Sequence, residues 1–235
     1  MSNAALCTAA LALGALLSLN ASAQQAPAPY PNMAPIAQYQ ITNEGEEIAL
    51  ARSAAPAAIA ANAEVLTLGV HGYVVAAQGT NGFVCIVERA WANDFANDGF
   101  WNPRLRAPIC FNAVAARSVL PDYLQRTQWV LAGLSKSQML DRTRAALAAG
   151  QLTPPEPGAM CYMMSKSGYL GDDVHGPWHP HLMFFAPRTA PEAWGANVTG
   201  GAVYASTDTV EPVTTFYVPV AQWSDGSPAM AMGEH

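Results

Sequence analysis

Positive charge is scarce in this chain. Eleven lysines and arginines stand against seventeen aspartates and glutamates, a formal net charge of −6, and only 12% of the residues are charged. The basic residues are scattered, with arginines from Arg52 to Arg188, and nowhere form a patch. Nucleic acids and anionic membranes are held by concentrated Lys and Arg, so both are excluded as partners. Long apolar runs are lacking beyond the first residues, which leaves no membrane span in the mature chain. The motifs HExxH, HxHxDH, CxxCH, GxSxG and SxxK are absent as well. Their absence removes the simplest zinc-protease, metallo-β-lactamase, c-haem and serine-nucleophile readings.

What is present begins with an uncharged Ala- and Leu-rich run, Leu6 to Leu19, followed by Asn20-Ala21-Ser22-Ala23. The small-x-small pattern predicts a signal peptide over 1–23, cleaved before Gln24. The run, at roughly 15 residues, is too short for a span. No Lys or Arg precedes it, a departure from the usual basic start, and Leu6 beside Cys7 argues against lipidation. The expected location is periplasmic or secreted. Residues 24–43, rich in Gln, Ala and Pro, read as an extended, weakly ordered arm. A single domain is expected over 44–228, with a flexible tail at 229–235.

Cysteine is sparse too. Cys85, Cys110 and Cys161 remain after the predicted cleavage, so an oxidising compartment allows one internal disulfide and one leftover thiol. Cys85 and Cys110 each lie in a strand-like run whose intervening segment can turn back, which makes them the expected pair. A closed loop of about 25 residues stabilises by about 3 kcal/mol in the chain-entropy model. Cys161 is then the free thiol.

Local patterns predict an α+β domain with a largely antiparallel sheet of about six to seven strands and two to three helices. Asn43-Glu44-Gly45-Glu46 has capping-box spacing and opens a helix to about Ala54. Val65–Leu68, Tyr73–Ala76 and Phe83–Val87 are short β-branched and aromatic runs, separated by His71-Gly72 and Thr80-Asn81-Gly82. They predict a three-stranded antiparallel meander. Trp91, Phe95, Phe100 and Trp101 mark a loop with its own aromatic packing. A helix is expected from Pro121 to Ala132, and a second capping box, Ser135 with Gln138, opens another that ends at Gly150. Strands return at Met160–Ser165, Leu182–Ala186, Val203–Thr207 and Thr214–Val220.

The densest chemistry lies in His175-Gly-Pro-Trp178-His179-Pro-His181-Leu-Met183, which holds three of the five histidines. Period-two alternation places His179, His181, Met183 and Phe185 on one strand face. Two imidazoles and a thioether suit zinc or copper, with His175, Asp172, Asp173 or the Cys161 thiol as further ligands. The cupin pattern fails, because the next glutamate after the histidines is Glu192. The opposing reading has His179 capping a turn, His181 bonded inside the core and Met183 simply packing. Cys161 with His179 or His181 would make a nucleophilic pair only if the thiol stayed reduced. Trp178 and Trp101 are candidates for lining a small-molecule pocket. Met230, Met232 and His235 in the tail suit weak copper capture or a frayed end.

Several segments carry a resemblance: Asn81–Cys85, Phe100–Pro103, Gly158–Met164, Tyr169–Asp172, Trp178–Phe185 and Trp223–Gly226. On these the chain resembles a family of exported, proteobacterial-type proteins of unknown function. The resemblance covers most of the mature chain and implies one complete domain. It carries over no catalytic or binding residues. Three functions are therefore expected in order: an exported zinc- or copper-binding protein, a non-catalytic small-molecule or partner-binding module without metal, and a metal-dependent hydrolase.

Overall fold

The computed structural model describes residues 29–171 and 179–229. The predicted signal peptide, Asp172, Asp173, His175, Trp178 and the tail residues Met230, Met232 and His235 lie outside the described residues.

Asn43 starts helix α1 (Glu44–Arg52) by accepting from the Glu46 amide at 3.3 Å, and its own amide donates to the Glu46 carboxylate. Pro56 precedes the short helix α2 (Ala57–Ala60). Three strands follow, β1 (Glu64–Gly69), β2 (Gly72–Ala77) and β3 (Val84–Glu88), and after the aromatic loop comes β4 (Ala107–Phe111). Asn112 caps helix α3 (Ala113–Ser118), accepting from the Ala115 amide at 2.8 Å. No periodicity announces that helix. Pro121 sits in the first turn of α4 (Leu120–Leu131), and α5 (Lys136–Ala148) opens with the full Ser135–Gln138 capping box. Strands β5 (Met160–Met163), β6 (His181–Pro187), β7 (Tyr204–Thr207) and β8 (Val213–Pro219) complete the fold.

The fold is α+β, built on one sheet of eight strands in the order β2-β1-β3-β4-β5-β6-β8-β7. All pairings are antiparallel except β1–β3. Strands and helices both exceed the expected numbers, with five α-helices among the described residues. The expected meander does not form. The Thr80 amide donates to the Asn62 carbonyl at 2.9 Å, and the Asn81 side chain donates to the Ile59 carbonyl at 2.8 Å. These bonds pin the connection across the start of β1, so β3 emerges on the far side of β1 and runs parallel to it. Gly79 makes the crossing feasible. A Cβ there would stand 2.1 Å from the Glu64 nitrogen, so only glycine passes.

Alternation divides the sheet into two packed faces. Ile86, Ile109, Phe111, Cys161, Met183 and Phe185 face α3 and α4. Val65, Cys85, Val87 and Cys110 face α1 and α2. The β3–β4 register sets Cys85 opposite Cys110, and the two are joined in a disulfide, while Cys161 is a buried free thiol.

A third cluster gathers Trp91, Phe95, Phe100 and Trp101 of the aromatic loop around Tyr39, Val130 and Met139. Residues 29–43, the described part of the segment expected as a weakly ordered arm, contribute to this cluster. Tyr39 is fully buried, and its hydroxyl donates to the Trp101 carbonyl at 2.8 Å.

Candidate functional site

Between the helical layer and the β5–β8 half of the sheet lies a cavity of about 240 Å³. Sheet alternation supplies one wall: Met163 from β5, then His181, Met183 and Phe185 from β6, and Thr215 and Tyr217 from β8. Helix α4 supplies Asp122, Tyr123 and Arg126, and Glu88 closes the side at the end of β3. The 208–212 connection adds Asp208 and Glu211, and Asp94 comes from the aromatic loop. The lining is thus apolar toward the sheet and carboxyl-rich toward α4.

The carboxyls differ in how they are satisfied. Asp94 accepts from the Ala96 amide at 2.7 Å and from the Thr209 amide and hydroxyl, each at 3.0 Å. Burial opposes its ionisation, but these donors outweigh burial and hold it below the usual aspartate range. Asp208 accepts from the Val210 and Glu211 amides at 2.7 and 2.6 Å. Glu211 is paired with Arg126 at 2.6 Å. Burial still raises Glu211, against the pull of Arg126.

Glu88 is the exception. It is only 8% exposed, and its Oε1 is buried with no hydrogen-bond partner among the described residues. Burial pushes its carboxyl up to about 8 despite the opposing charge of Arg126. Asp122 is raised to about 7, by burial first and then by the neighbouring charge of Glu211. Two carboxylic acids that keep a proton near neutrality therefore share one cavity.

The positive side is fully engaged. Arg126 Nε and one terminal nitrogen donate to Glu211. The other donates to the carbonyls of Trp91, Ala92 and Asn93 at 3.2, 3.3 and 2.7 Å. Its guanidinium also lies over the Phe95 ring, 4.4 Å from the centroid. His181 Nδ1 is 3.0 Å from the His179 carbonyl, which can only accept, so that nitrogen carries the proton. Burial holds the His181 pKa below its ordinary value, which keeps the ring neutral at pH 7.

The histidine-centred prediction is partly reassembled here. His181, Met183 and Phe185 share the cavity face, and Cys161 lies directly opposite Met183 in the β5–β6 register. His179 precedes the strand and does not line the cavity. Among the described residues, no group of three or more His, Cys, Asp and Glu side chains is placed to hold a metal ion. Burial raises the Cys161 thiol well above its ordinary range, which suits packing and not ligation or attack. Trp101 sits in the aromatic cluster away from the cavity.

Sequence reasoning missed Glu88, Asp122, Arg126 and Glu211. A signal existed for three of them. Glu88 follows Ile86 by two positions, so alternation aims a carboxyl at the core. Asp122 and Arg126 are four apart on α4 and share a helix face. Glu211 carries no such local mark.

No family model matches the chain, and neither a curated protein nor a solved structure shows significant similarity to it.

Proposed function

We propose that this chain is an exported small-molecule-binding protein whose ligand occupies the carboxyl-rich cavity. The observation that carries the reading is Glu88, a residue lining the cavity whose buried Oε1 has no hydrogen-bond partner among the described residues. An unsatisfied buried polar group costs about 1–3 kcal/mol, and beside a cavity a ligand group can supply the missing partner. The Cys85–Cys110 disulfide and the predicted signal peptide support export.

Binding without turnover is favoured by the absence of an activated nucleophile among the described lining groups. The Ser206 and Tyr217 hydroxyls are bonded to each other at 3.2 Å, and burial raises the Tyr217 phenol above its ordinary range. The neighbouring Cys161 thiol is held protonated by burial.

A fragment library screened by ligand-observed NMR tests the proposal. Hits are expected that bind the wild type and are lost in Thr215→Trp, which fills the cavity from β8. No hits, or hits retained in that variant, would overturn it.

A further inference from the structure

We infer that the ligand is a small organic cation, an ammonium or amidinium group on a compact apolar body, received by Glu88 and Asp122 in exchange for a proton. This inference rests on the small-molecule reading of the cavity and adds the chemical class of the ligand.

The charge inventory of the cavity leads there. Asp94 and Asp208 already accept hydrogen bonds from backbone amides, and Glu211 is neutralised by Arg126. Every nitrogen of the Arg126 guanidinium is engaged, so the described lining offers an anionic ligand no uncommitted guanidinium. What is left over is acceptor capacity. Glu88 Oε1 has no partner, and no hydrogen bond holds the Asp122 carboxyl among the described residues. N–H donors bearing positive charge complement two such carboxyls better than any neutral donor. Around them, Met163, Leu170, Met183, Phe185 and Tyr123 form an apolar lining suited to a hydrocarbon or aromatic body. The cavity is smaller than the roughly 300–1,000 Å³ typical of drug-sized ligands, so the body is compact. A bare divalent ion fits less well, because no three-ligand group is present among the described residues.

The exchange balances in charge. Near pH 7 the free protein holds Glu88 largely protonated, because burial raises it to about 8. An entering cation favours the carboxylate, so Glu88 releases its proton to solvent as the ion pair forms. Arg126 from α4 bears on Glu88, and the charge of Glu88 in turn reaches Tyr123 of α4, Tyr73 of β2, Cys161 of β5 and Tyr217 of β8. Of these only Arg126 is charged near neutrality, so Glu88 carries the exchange, with Asp122 contributing as pH falls toward about 7.

Calorimetry on the full chain with three isosteric probes, benzamidinium, benzamide and benzoate, tests this, extended to cyclohexylammonium with its alcohol and carboxylate counterparts. Each titration is run at pH 7 in two buffers of different ionisation enthalpy. A cation is expected to bind at least about tenfold more tightly than its neutral isostere, with benzoate inert and up to about one proton released per cation bound. Glu88→Gln is expected to lower cation affinity by about tenfold or more and to cut proton release to the share of Asp122, at most about half a proton at pH 7, leaving benzamide unchanged. Asp122→Asn is expected to lower cation affinity about three- to tenfold, and serves if Glu88→Gln folds poorly. Equal or tighter binding of neutral or anionic probes overturns the cation assignment while the small-molecule reading stands. If no probe of the set binds, the assignment also falls. The small-molecule reading falls with it only when the fragment screen is empty too.

Discussion

Two arginines in this protein are buried beside glutamates, and they serve different ends. Arg89 and Glu47 are each about 1% exposed and meet at 2.9 Å. Arg89 also donates to the Tyr39 and Val87 carbonyls, and the same Glu47 oxygen accepts from the Leu68 amide at 3.1 Å. That pair locks the 29–43 segment, α1, β1 and the aromatic loop together, and packing closes over it. Arg126 and Glu211 are also paired, but their site borders a cavity and two further carboxyls, Glu88 and Asp122. The contrast teaches that a buried charge is no mark of function when its partners satisfy it. The mark is the acceptor left over beside open volume.

The comparison can be strained most severely at the closed pair. Arg89→Met should destabilise the fold by about 3–5 kcal/mol in urea titration, because Glu47 is left as an uncompensated buried charge. Loss of the disulfide in Cys85→Ala/Cys110→Ala comes next, with about 3 kcal/mol expected for a sequence separation of 25.

Arg126→Met should have a smaller effect, about 1–3 kcal/mol, because Glu211 borders the cavity and can take up a proton. A decrease as large as that of Arg89→Met would erase the distinction between the two sites.

A pH titration separates the sites more finely. The folded state raises Glu88 from an ordinary value of 4.5 to about 8 and Asp122 from 3.8 to about 7. Between those values the folded chain holds protons that the unfolded chain has released. The stabilising contribution of these groups is therefore complete below about pH 4 and falls as pH rises, levelling off above about pH 8. Glu88→Gln should remove up to about 1.4 kcal/mol per pH unit of that decline across the window. Chemical denaturation at a series of pH values measures it, and an unchanged slope would show that Glu88 titrates normally. Least of all should follow from Arg117→Ala. It breaks an exposed 2.8 Å pair with Glu156 and is expected to leave Tm unmoved.

Much of the scaffold was legible from local residues. Ser135 with Gln138 announced α5, Asn43 with Glu46 announced α1, and the β-branched runs located their strands to within a residue or two. The Cys85–Cys110 pairing followed from two strand-like runs and a returning segment. The β1–β3 crossover was not legible. Asn81-Gly82 carries a hairpin signal, and the bonds that override it come from Ile59 and Asn62, about twenty residues away in sequence. The site was half legible. Alternation aligned His181, Met183 and Phe185, but it could not reveal that their cavity is shared with Glu88, Asp122 and Glu211.

By itself, then, the sequence determined the capping residues, the strand faces, the disulfide partners and the scarcity and scatter of basic charge. Each of these depends on a residue's own chemistry or on neighbours within a few positions. Only the tertiary structure decided which carboxyls are satisfied and which are not. Desolvation and hydrogen bonding at Glu88 depend on α4, on β8 and on a carbonyl-bound Arg126, segments brought together from distant parts of the chain. Of the clustered histidines, His181 marked a wall of the cavity, and the fold set Glu88, Asp122 and Glu211 from distant segments around the same volume.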